Sequence, residues 1–99
     1  MREIIISAQT QKKIRTLLGY IEVKWSERIR IAFAKKLLET LQIVRNNPEG
    51  FPKSEINKKQ HKCVVSKQTT IYYKFNSKQI RILSIFDTRQ NPLKIKKIQ

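Results

Sequence analysis

The sequence predicts an α+β domain of element order β-α-α-β-β-β, with a helix hairpin packed on one face of a small, mainly antiparallel four-stranded sheet. Three observations carry this. The stretch from Gln60 to Pro92 divides into three β-prone runs separated by breaks of hairpin length. Between Ile14 and Val44, apolar residues recur at helical spacing. A β-branched run, Glu3–Ser7, precedes them and supplies a fourth strand.

In chain order, Ser7 ends the first strand and offers a hydroxyl to cap a helix. Ile14, Leu17, Leu18, Ile21 and Trp25 then form an amphipathic stripe, with Lys12, Lys13, Arg15 and Glu22 on the other side. Gly19 interrupts this helix at a cost of roughly 1 kcal/mol relative to alanine, which predicts close packing against the next element. Ser26 caps a second helix, and Glu27 places a carboxylate at the positive end of its dipole. Ile29, Phe33, Leu37, Leu41 and Val44 make its core stripe, widened by Ala34 and Leu38. Asn46-Asn47-Pro48 stops it, because proline cannot continue a helix and disfavours helical geometry in the residue before it. Only Lys24-Trp25-Ser26 remains as a joint, so the two helices fold back on one another.

Glu49–Lys59 reads as a lysine-rich loop after Pro48, punctuated by Pro52. Three strands follow at His61–Ser66, Thr69–Phe75 and Gln79–Phe86. Their breaks, Lys67-Gln68 and Asn76-Ser77-Lys78, suit antiparallel hairpins, and Asn76 tolerates the left-handed backbone that tight turns often require. A polar run from Asp87 to Pro92 closes the stretch. In the tail Leu93–Gln99, alternating Leu93 and Ile95 fit either a short strand or a partner contact.

Ninety-nine residues with 39% apolar content support one core, so residues 1–99 are expected to form a single domain. Charge is the unusual property: 22 Lys and Arg against 7 Asp and Glu give a net +15. The surplus sits mainly in the strands and tail, where eleven bases from Ile56 onward face one acid, Asp87. Such a surplus points to a polyanionic partner: nucleic acid, an acidic protein or an anionic membrane. Cys63 is the only cysteine, which excludes an intramolecular disulfide, and with His61 as the only histidine a zinc site of the usual ligand types cannot be assembled. No metal and no cofactor is expected. The N-terminal apolar run is far too short for a signal-peptide core or a membrane span, so the expectation is a cytoplasmic protein with no membrane partner.

The element order, the passage WSERIRIAFAKKLLETLQIVRNNPEGFP, the strand IYYKF and the ending IRILSIFDTRQNP together resemble the RelE/ParE superfamily of toxins from bacterial type II toxin–antitoxin systems. The resemblance covers nearly the whole chain. It implies a basic toxin of the plasmid-stabilization kind that arrests growth and is neutralised by a cognate acidic antitoxin. RelE-like members resemble ribonucleases that cut messenger RNA in the ribosome, whereas ParE-like members inhibit DNA gyrase without being enzymes.

Metal-independent RNA cleavage needs a base for the 2′-hydroxyl, cations around the phosphate and an acid for the leaving oxygen. The resemblance places Arg89 where the family's catalytic arginine after the last strand lies. The arginine it implies on the middle strand falls at Thr70, and the C-terminal tyrosine at about Ile95. His61 has the right ordinary pKa for a general base and, with Arg89, is the candidate catalytic residue if the chain is an endoribonuclease. Lys53, Lys58, Lys59, Lys62, Arg81 and Arg89 are candidates for target or antitoxin binding through phosphate or carboxylate capture. Asp87 is expected to pair with Arg89 or Arg81 to set the turn, with contact to a target or antitoxin as its alternative role, and Tyr72 to lie on the open sheet face, where it can stack on a base. The lysine-rich approach to His61 and the Asp87–Arg89 exit are expected to border one basic cleft. On the catalytic residues, the ParE-like alternative is favoured over the RelE-like one, with a non-toxic basic nucleic-acid-binding module as the third reading.

Overall fold

The computed structural model describes residues 2–89. The elements are β1 (Glu3–Ile6), α1 (Ala8–Lys24), α2 (Glu27–Asn46), β2 (His61–Val64), β3 (Thr69–Phe75) and β4 (Gln79–Asp87), with a short 3-10 turn at Pro48–Gly50. The predicted order β-α-α-β-β-β is the observed one, and the helix hairpin covers one face of a four-stranded mixed sheet. Both predicted caps are made: the Ser7 hydroxyl accepts from the Thr10 amide at 3.1 Å, and the Ser26 hydroxyl from the Ile29 amide at 3.1 Å. The tail Leu93–Gln99 and the position Ile95 lie outside the described residues.

Strand order is β1-β4-β3-β2. β2, β3 and β4 form an antiparallel meander, and β1 joins β4 in parallel. Alternation then assigns the faces. Ile71, Tyr73, Ile80, Ile82 and Ile85 point toward the helices and meet Leu17, Ile21, Phe33, Leu37, Leu41 and Val44 in one core. Tyr73 is fully buried there, and its hydroxyl donates to the Pro48 carbonyl at 2.7 Å, tying the end of α2 to the middle of the sheet.

A bulge interrupts β4. Tyr72 pairs with Ser84 but Tyr73 pairs with Ile82, which leaves Leu83 without a ladder partner. The Leu83 carbonyl is taken instead by the hydroxyl of Thr10 on α1 at 3.0 Å. That bond explains why a threonine is buried among apolar residues: an unpaired backbone group away from water has to find a partner.

Several sequence expectations are corrected. Trp25 and Leu38 are not core residues; they are 46% and 63% exposed. Helical periodicity continues past the stretch where the sheet lies underneath, so residues at the hairpin joint and on the flank of α2 keep the spacing without the burial. Ile29, at the start of α2, is exposed for the same reason. Gly19 does not pack closely, since a Cβ added there would meet nothing within 4 Å. The strand expected at His61–Ser66 ends at Val64, and the last strand runs one residue past Phe86 to include Asp87. Asn76 shapes its turn without left-handed backbone: its side-chain oxygen accepts from the amides of Lys78 and Gln79 at 2.8 Å each.

Candidate functional site

The sheet has a covered face and an open face, and the predicted site residues divide between them. His61 pairs with Tyr73 in the β2–β3 register and therefore points to the covered side. Its ring stacks on Tyr73 at 5.5 Å between centroids and packs against Phe75 at 5.2 Å. The Phe51 carbonyl lies 2.9 Å from Nδ1; a carbonyl only accepts, so Nδ1 carries the hydrogen and donates it. His61 is thus held as an aromatic packing residue among β2, β3 and the Phe51 loop.

Arg89 and Asp87 form a clamp at the other end of β3. The Arg89 Nε and Nη2 donate to the two Asp87 carboxylate oxygens at 3.0 and 2.7 Å, and the Arg89 amide adds a third bond at 2.9 Å. Thr69 donates its hydroxyl to the same carboxylate. The guanidinium sits over the rings of Phe33 and Trp25, at 5.2 and 5.7 Å, and the Tyr20 hydroxyl donates to the Arg89 carbonyl at 3.1 Å. Burial pushes the Asp87 carboxyl up, but the hydrogen bonds from Arg89 and Thr69 and the charge of Arg89 outweigh it, so the net pKa lies below the ordinary carboxylate value. Of the two partners expected for Asp87, the structure selects Arg89.

His61 and the clamp do not share a cleft. They align with Tyr73 and Thr69, four residues apart on β3, or roughly 13 Å along the strand.

The open face carries a different set. Lys62, Val64, Thr70, Tyr72, Lys74, Arg81, Ser84 and Phe86 alternate onto it. A pocket of about 410 Å³ opens over β3 and β4, with Thr70, Tyr72, Ser84 and Phe86 as its floor. Ser54, Ile56, Asn57 and Gln60 of the loop before β2 form part of the wall, and Lys67 and Gln68 of the β2–β3 turn also line it. Tyr72 meets Phe86 edge-on at 5.7 Å. Lys58 and Lys59 follow the lining residue Asn57 in the loop turn, and Lys53 bridges to His61 at the outer edge of β2. Lys62 is engaged by Glu55 at 3.5 Å.

At the far end of this face, Lys74 and Arg81 are directly opposite each other across β3 and β4. The sequence reading named Arg81 and passed over Lys74. A three-residue loop closing Phe75 on Gln79 would place Lys74 beside Ile80, whereas the Asn76 amide donates to the Gln79 carbonyl and the register shifts by one, pairing Phe75 with Ile80.

Two ionisable side chains on the covered face complete the electrostatics. Burial raises the Cys63 thiol, and burial with the neighbouring Cys63 raises the Tyr73 hydroxyl, so both stay protonated near neutral pH. Among the described residues no group of three His, Cys, Asp or Glu side chains is placed to hold a metal, and no helix is long and apolar enough to cross a membrane.

Solved structures share this architecture. The toxin–antitoxin ParDE system of P. aeruginosa contains a chain that superposes with a TM-score of 0.75 at 12% identity, over 88% of this chain and 96% of that one. YafQ in the DinJ–YafQ complex of E. coli gives 0.61 at 16% identity, over 92% and 98%, and the YoeB–YefM complex of Staphylococcus aureus gives 0.57 at 18%, over 87% and 95%. The chain therefore has the RelE/ParE toxin fold. No family model and no curated protein matches the sequence.

Proposed function

We propose that the chain is the toxin of a type II toxin–antitoxin pair, that it arrests growth by inhibiting DNA gyrase without cutting RNA, and that an acidic antitoxin neutralises it. Support for the toxin part comes from the shared fold, because the similar solved structures are toxins of such systems, two of them in named complexes with DinJ and YefM. The observation that favours a non-enzymatic target is the distribution of proton-transfer groups. Single-step RNA cleavage by general acid–base catalysis is served best by a group whose ordinary pKa lies near the working pH, as a histidine's does, placed beside the cations that would hold the phosphate. His61, the only histidine, faces the covered side and is stacked on Tyr73. Arg89 spends its donor fork on Asp87. The open face offers lysines, Arg81 and Tyr72, and the position the resemblance implies for a middle-strand arginine is Thr70 on the pocket floor.

Inducing the chain in bacteria without its antitoxin tests this. Growth arrest with intact transcripts and altered plasmid supercoiling is the expected result. Transcripts cut within reading frames, with cutting lost in His61→Ala or Arg89→Ala, would establish the ribonuclease reading instead. Unchanged growth would remove the toxin reading.

A further inference from the structure

The Lys74–Arg81 pair is the least expected contact of the sheet. Residues directly opposite in an antiparallel pair stand about 4.5–5.5 Å apart at Cα, and like charges there are destabilising. Both side chains are exposed on the open face, and among the described residues neither takes part in an ion pair. The neighbour of Arg81 on β1 is Ile5; Glu3, the next residue of β1 on this face, lies opposite Gln79 and forms no ion pair with Arg81. Along β3, Lys74 is two residues from Tyr72 on the same face, so the cation pair lies about 7 Å from the pocket floor.

We propose that the open face docks an extended acidic segment of a partner polypeptide, seating one apolar or aromatic side chain in the pocket and a carboxylate two residues along between Lys74 and Arg81. An extended chain projects every second side chain to the same side at the same 7 Å repeat, so its spacing matches that of the floor. Charge complementarity selects an anion, because the partner's carboxylate removes the repulsion that the fold leaves in place. A polypeptide fits better than a nucleic-acid strand for two reasons. Ile56 at the pocket wall and Val64 on the same face are 70% and 65% exposed, a surface suited to side-chain burial. Lys74 and Arg81 form a focal pair at one end of the face, set apart by the pocket floor from Lys67 at its other side, and Lys62 is engaged by Glu55, so the cations do not run as a continuous track along a phosphate backbone. The inference deepens the antitoxin part of the proposed function and rests on it for the partner's acidic character; the docking geometry comes from the sheet alone.

The test is an amide-resolved NMR titration of the full chain with short synthetic peptides. A peptide carrying Phe-Thr-Glu is expected to shift the signals of Tyr72, Lys74, Arg81 and Phe86 and to bind at least tenfold more tightly than one carrying Phe-Thr-Lys. Lys74→Glu with Arg81→Glu should erase that preference, while Lys35→Glu with Lys36→Glu on α2 preserves it. Equal binding of the two peptides, shifts elsewhere on the surface, or loss of preference in the helix control would overturn the proposal. So would the absence of peptide binding together with Lys74- and Arg81-dependent binding of a single-stranded oligonucleotide. Growth arrest is not a readout of this titration, so either proposal can fail while the other stands.

Discussion

Two arginines at opposite ends of β4 meet opposite fates. Arg89, just past the strand, is gripped by a buried carboxylate on one side and by Phe33 and Trp25 on the other. Arg81, near its start, stands exposed between Lys74 on one side and Ile5 on the other. Arg89 fastens the end of the sheet to the helix hairpin, so its charge is consumed by the fold. The charge of Arg81 remains available for a partner. In a chain of net charge +15, identity alone does not distinguish a structural cation from a functional one; the nearest carboxylate does.

The largest predicted effect breaks the structural member of that comparison. Asp87→Ala leaves the Arg89 guanidinium mostly shielded from water with its partner gone, and should cost about 3 kcal/mol in denaturant unfolding. The pair also sets an acid limit. The folded pKa of Asp87 is depressed, so its contribution is fully present above the unfolded value of about 4 and is lost as pH falls through the folded value. A urea midpoint series against pH should show this loss in the native sequence and a flatter, lower profile in Asp87→Asn.

A smaller loss is expected on the covered face away from the clamp. Tyr73→Phe leaves the Pro48 carbonyl without its donor and should cost about 1–2 kcal/mol, read as a lowered urea midpoint at unchanged slope. The smallest effect has the opposite sign and sharpens the comparison at Arg81. Lys74→Glu converts the facing like charges into an opposite pair and should raise stability by about 0.5 kcal/mol, with the gain shrinking as salt is added.

Much of the fold was legible in the chain because local rules and tertiary structure agree. Ser7 and Ser26 cap as their hydroxyls predict, Pro48 ends α2, and Ile71, Tyr73 and Phe75 alternate as a strand with one buried face. Legibility failed where a non-local partner decides. Trp25 keeps helical spacing but lies beyond the sheet, where Tyr20 and Arg89 are its neighbours. His61 looks like a general base until β2–β3 register turns it toward Tyr73. The Asp87–Arg89 pair is two residues apart and was within reach of sequence reasoning, yet the rings that complete the clamp come from the hairpin joint, Trp25, and from α2, Phe33. The partner of Lys74 is not legible in the chain, because a one-residue shift at the Asn76–Gln79 turn decides what it faces.

The most direct measurement of the central claim uses purified chain, purified gyrase and relaxed plasmid. If the chain acts as proposed, supercoiling stops at stoichiometric amounts of it, an acidic antitoxin restores the activity, and messenger RNA on translating ribosomes remains whole in the same preparation. Unimpaired supercoiling together with ribosome-dependent transcript cutting would contradict that claim.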